Sequence, residues 1–224
     1  HVVLEIAKHC AKAQPDLFIV YLGNNEVVGP FGAGTIFNPV SRNLAVIRAI
    51  LNIKTTRTGQ LLAGITQSLG ASNKMQTQWE GLAMFMDEQV RHDDQGLKQV
   101  YRHFEQNLKD ICQTAHDAGA EVILSNVVCN IRDCPPFASL LREDLLESDK
   151  EKWENLYRKG VILEQKKEFD QAVLHYQAAA EIDDTFAELR YRMGHCLDLA
   201  GKKVQARPHY LASRQLDTLR FRVD

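Results

Sequence analysis

Two short apolar runs, Leu17-Phe18-Ile19-Val20-Tyr21-Leu22 and Glu121-Val122-Ile123-Leu124-Ser125-Asn126-Val127-Val128, decide what this chain can fold into. Both are strand-length, rich in β-branched residues and bounded by turn residues, so each reads as a buried strand. Before the second run lies an amphipathic stretch, 95–118, in which Leu97, Val100, Tyr101, Phe104, Leu108, Ile111, Cys112 and Ala115 recur at helical spacing. It stops at Gly119, a residue suited to a helix terminus. Strand, long helix, strand is the order of a parallel sheet with helical crossovers. A helix is also expected over 2–13, with Pro15 marking the turn into the first strand, and another over about 41–53. Residues 23–40, rich in Gly, Pro and Asn, read as a long loop, and 55–80 as a broken helix with loop.

After Cys134-Pro135-Pro136 the character changes. From about Lys150 every segment is helical and the chain repeats itself with an offset of 34 residues: Gly160 with Gly194, Leu163 with Leu197, Ala172 with Ala206, Tyr176 with Tyr210, Ala179 with Ser213. Small residues let two helices approach, and Tyr and Leu fill the space between them. Period and residue types over 153–218 resemble the tetratricopeptide repeat, a helix–turn–helix unit. The proline usual near the end of each repeat is replaced by Asp184 and Thr218, and the early aromatic is missing. Two repeats bury little alone, so they are expected to lean on the α/β part.

Composition excludes more than it assigns. With 224 residues, 45% hydrophobic and 25% charged, the chain has material for a real core. A net charge of −2 with scattered basic residues (Arg42, Lys54, Arg57) gives no field for nucleic acid. No apolar run approaches the roughly 18 residues that cross a membrane. The five cysteines match no zinc spacing and read as free thiols, and no cofactor or metal is expected. The chain opens on His1 inside a helical pattern, so no signal peptide is scored and the natural start is expected upstream.

Few motifs carry chemistry. Gly29-Pro30-Phe31-Gly32-Ala33-Gly34-Thr35 has the glycine spacing of a phosphate loop, but Thr35 stands where the lysine belongs and Pro39 interrupts the helix that should follow. None of the eight histidines has an aspartate three residues before it, and they read as surface or packing residues. Ser41 and Ser125 lie near element ends without a glycine-supported turn, and Cys129, just past the second strand, reads as a structural thiol. The remaining feature is Gly23-Asn24-Asn25-Glu26, a polar turn at the carboxyl end of the first strand. In open α/β sheets ligand-contacting groups collect there. An asparagine in such a turn can simply bond its own backbone; alternatively its amide can donate to a developing oxyanion.

The stretch from Pro15 to Glu26 resembles a characteristic block of the SGNH (GDSL-type) hydrolase superfamily, in which a strand runs into Gly-x-Asn-Asp/Glu. Residues 118–127 look like the superfamily's next strand, and 130–137 like the loop after it. Some bacterial members carry tetratricopeptide repeats between that strand and the final catalytic segment, which is the order found here. The resemblance implies an α/β fold, here part of a three-layer α/β/α sandwich over 1–148, with two repeat hairpins over 149–218 and the start of a return to the α/β domain over 219–224. It also implies a serine esterase or acyltransferase acting on a small ester or acylated substrate. Asn25 would be the oxyanion donor, Gly23 would allow the tight turn, and Glu26 would support it. The superfamily's serine nucleophile comes from a Gly-Asp-Ser-like block upstream of the equivalent of His1, a second oxyanion donor, a glycine, also lies upstream, and its Asp-x-x-His block lies beyond Asp224. This chain alone is therefore expected to be inactive. The other class of function is an interaction scaffold, with residues 153–218 binding a protein or peptide and the α/β part inert.

Overall fold

The computed structural model of the chain describes residues 2–29, 32–34, 43–57, 61 and 85–221. The chain folds as two compact units, His1–Phe85 with Gln95–Val127, and Met86–Asp94 with Val128–Asp224. The first is mixed α/β. The helices of the second are the all-helical segment expected after it.

In the first unit, strands β1 (Leu17–Tyr21) and β2 (Glu121–Ser125) pair in parallel, Leu17 opposite Glu121 and Tyr21 opposite Ser125. Helix α1 (Val2–Ala11) precedes β1, and α2 (Leu44–Thr55) and α3 (Gln95–Asp117) lie on the crossover. Asn43 starts α2, its side-chain oxygen accepting from the Ala45 N–H at 2.9 Å. The end of α3 is set by Gly119 at φ +79°: the Gly119 N–H reaches the His116 carbonyl and the Ala120 N–H the Ala115 carbonyl, the paired bonds of a Schellman motif. The backbone is thereby turned straight into β2.

Alternation along the strands sends Phe18, Val20, Leu22 and Val122 against Leu4 and Ala7 of α1 and Leu108 and Ile111 of α3. On the opposite face Ile19 is 70% and Ile123 51% exposed, so among the described residues the strands that read as buried are covered chiefly on one side. Arg48 of α2 donates to the buried Asn107 at 2.9 Å and pairs with Asp110, tying α2 to α3. Residues 30, 31 and 35–40 of the expected loop over 23–40, Ser41 and Arg42 at the start of the expected helix, and most of the broken helix over 55–80 fall outside the described residues.

Among its described residues the second unit contains four helices, α4 (Glu147–Gln165), α5 (Phe169–Ile182), α6 (Ala187–Leu199) and α7 (Lys203–Leu216), packed in sequence as two hairpins. Their core holds Trp153, Ala172, Tyr176, Leu189, Met193 and Tyr210. The 34-residue offset is structural: the Tyr176 ring lies over Gly160 and the Tyr210 ring over Gly194. Helices α4 and α6 also end alike, on Lys167 (φ +63°) and Gly201 (φ +79°), each followed by a bond from the next N–H back to Leu163 or Leu197. An irregular segment, 128–146, leads into α4 and runs along the hairpins, with Ile131 and Leu141 packed on their core.

Candidate active site

Gly23 follows β1 with φ +133°, a conformation that L side chains rarely adopt. Its surroundings are not crowded, since a Cβ there would meet Val127 at 3.6 Å and Phe104 at 3.7 Å in ordinary contact. The backbone turn, not packing space, is what requires glycine. Asn24 and Asn25 come next and are exposed, while Val27 and Val28 are each 4% exposed and anchor the turn from below. Glu26 lies between them, and burial raises its carboxyl pKa above the usual range.

The glycine-rich segment closes on this turn. The Gly29 N–H donates to the Asn25 carbonyl at 2.7 Å, Gly32 to Gly29 at 3.0 Å and Gly34 to Val27 at 3.0 Å. A Cβ on Gly32 would stand 2.7 Å from the Glu26 carbonyl oxygen, so the chain approaches too closely for any larger residue. A phosphate cradle needs such N–H groups free. Here they are bonded to backbone carbonyls, and the segment buttresses Asn25. Thr35 and Pro39 lie outside the described residues.

Of the sequence's other candidates, Ser125 ends β2 in register with Tyr21, its hydroxyl 3.4 Å from the Asn126 carbonyl. Cys129 belongs to the second unit, and none of the five cysteines is in a disulfide. His103 on α3 is held below its usual range by burial and then by the Arg48 guanidinium. His116, with Cys112, Leu108 and Leu124, lines an open groove. Among the described residues no group of three or more His, Cys, Asp or Glu could hold a metal ion, and no helix is long and apolar enough to cross a membrane.

One constellation gave no signal in the sequence. Glu164, at the end of α4, accepts from the Tyr176 hydroxyl at 2.7 Å and the Arg192 guanidinium at 3.0 Å, and lies 3.3 Å from His195 Nδ1. Arg192 also donates to the Tyr157 hydroxyl at 3.0 Å and to Glu188 at 2.9 Å. Burial, then the Glu164 hydrogen bond, pushes the Tyr176 phenol above its usual range. Its partners lie 12, 28 and 31 residues from Glu164. Only the repeat period, which sets α6 beside α4, hints at the meeting. The network is internally satisfied and ties one hairpin to the next.

What the first site can do chemically is narrow: it presents an exposed primary amide at the carboxyl end of a parallel strand. Comparison of the chain with known family models, with curated proteins and with solved structures finds no match.

Proposed function

We propose that this chain supplies the oxyanion-stabilising part of an SGNH-type serine esterase or acyltransferase acting on a small ester or acylated substrate. The observation that carries the reading is the exit from β1: a glycine at φ +133° followed by an exposed Asn25, on a parallel strand pair, with the glycine-rich segment bonded behind it. Its strength is that carboxyl ends of parallel strands are where α/β enzymes hold substrates. In this reading the Asn25 amide N–H donates to the oxyanion of the tetrahedral intermediate. A serine and an Asp-x-x-His block, contributed by sequence beyond these 224 residues, attack the carbonyl and shuttle the proton. Gly23 sets the turn and Glu26 supports it. The two-stranded sheet belongs to a three-layer sandwich, and the hairpins belong to the tetratricopeptide class.

The test is hydrolysis of p-nitrophenyl acetate by the protein extended on both sides, with and without Asn25→Ala. Loss of one oxyanion donor lowers kcat by about 10²–10³-fold. An unchanged kcat in a folded variant overturns the assignment.

A further inference from the structure

Helices α4 and α6 share a face. Tyr157 and Tyr191 are equivalent across the 34-residue repeat, as are Glu164 and Asp198. In the first hairpin the acidic position is met by Arg192, which reaches Glu164 from the next hairpin. Among the described residues no third hairpin follows the second, yet Asp198 is met in the same way. The Arg132 Nε donates to its carboxylate at 2.6 Å, and the Tyr191 hydroxyl donates to the Arg132 carbonyl at 2.8 Å. Tyr191 and Asp198 lie seven residues apart, two turns along one side of α6, with His195 stacked on Tyr191 between them.

Arg132 is one point of a longer seam. The Phe137 and Ala138 N–H groups donate to Asp217 at 3.0 and 3.2 Å. Ser139 Oγ accepts from the Glu188 N–H at 2.9 Å, and the Arg142 N–H donates to Asp183 at 2.8 Å. Ile131 and Leu141 pack on the helical core. An irregular segment that turns at 131–134 and is held by main-chain N–H bonds, one arginine and two apolar anchors covers the hairpins much as a bound peptide would, and stacked repeats need some such cover on their terminal face.

We propose that residues 131–142 are a ligand of the hairpins held in cis, and that they close the outward face of α6 to partner peptides. What that face recognises, once freed, is a peptide turned as 131–134 are, with an arginine directed at Asp198 and an apolar residue beside it. A tether of this length gives an effective concentration on the order of millimolar. A free peptide of about 100 μM affinity would therefore bind the intact chain roughly tenfold more weakly than a chain with the segment released. The proposal stands apart from the esterase reading, since it concerns the second unit only.

The experiment uses the full chain and a labelled synthetic peptide reproducing residues 128–143, with binding followed by fluorescence anisotropy. The Ile131→Ser/Arg132→Ala chain is expected to bind the peptide at least tenfold more tightly than the unaltered chain, and a peptide with alanine in place of Arg132 is expected to lose that binding. Equal binding to both chains, or none to the altered chain, overturns the proposal. Should that variant fold poorly, Asp198→Asn with the native segment gives an independent reading. Amide exchange at residues 131–134, 137 and 138 should then rise at least tenfold, and unchanged exchange would refute the in-cis assignment.

Discussion

Asp183 and Asp217, 34 residues apart, are both buried at helix ends, and each accepts one N–H from the residue two places on and at least one from the segment that leads into α4. Both oxygens are engaged in each case: Asp183 holds Arg142 with one and Thr185 with the other, and Asp217 divides Phe137 from Ala138 and Leu219. Alanine at either position leaves two or three N–H groups unpaired, each costing about 1–3 kcal/mol. Asparagine is expected to do little better, because its NH₂ faces a donor whichever way it turns. Urea denaturation of Asp183→Asn, Asp183→Ala and the matching Asp217 variants checks this; wild-type midpoints for the Asn variants would refute it.

The glycines of the two hairpins are not equivalent in tolerance. A Cβ on Gly160 would lie 2.6 and 2.9 Å from Cδ1 and Cζ of the fully buried Tyr176 ring, whereas on Gly194 the nearest atoms are 3.1 and 3.2 Å away. Overpacking costs about 1–3 kcal/mol, while alanine in place of a helical glycine returns up to about 1 kcal/mol. Gly160→Ala should therefore lower the melting temperature and Gly194→Ala leave it nearly unchanged. Equal shifts would contradict the packing argument.

Lys167 occupies the left-handed position that Gly201 fills in the second hairpin. A side chain there costs on the order of 1 kcal/mol. Lys167→Gly is expected to raise the stability of the second unit by up to that amount, read as a higher urea midpoint.

His209 on α7 is held below its usual value of 6.5 by burial and then by the Arg190 guanidinium. The unfolded chain takes up its proton near pH 6.5 while the folded chain still resists it. Stability is thus full above that pH and declines as pH falls below it, until the folded imidazole protonates. His209→Gln should flatten this part of the profile just below pH 6.5; an identical slope would show that His209 does not contribute.

The helical repeat and the parallel strand pair were legible because each is written in residues close together: alternating apolar positions for β1 and β2, matched Gly, Ala and Tyr for the hairpins. The helix at 95–118 ended within one residue of expectation because Gly119 takes the conformation that glycine allows. Strand ends were less visible: β2 stops at Ser125, three residues short of the apolar run's end, because its partner β1 ends at Tyr21, opposite Ser125. The sequence showed Asp184 and Thr218 in place of prolines, while the residues that act, Asp183 and Asp217, stand one position earlier. Their role could not be read, since their partners are backbone N–H groups up to 80 residues away. Asn25 was legible as a residue and the buttress behind it was not, because Gly29, Gly32 and Gly34 look the same in a flexible loop as in a bonded one.

Gly23→Ala separates these two layers. Forcing alanine to φ +133° costs about 1–3 kcal/mol or turns the backbone elsewhere. In the extended protein the variant should lose kcat as Asn25→Ala does, with KM little changed. A stable variant with full activity would detach the turn from the chemistry.

The bond from the Phe137 N–H to Asp217 has an architectural meaning beyond its strength. The place where the chain sets out toward the hairpins and the place where it comes back from them are 3.0 Å apart, donor to acceptor. A segment with doorway and exit side by side can be spliced into a short surface loop of a host without prising that loop open, and can be lost again as cleanly. The four helices thus meet the geometric requirement of a cassette, two ends of one segment held side by side.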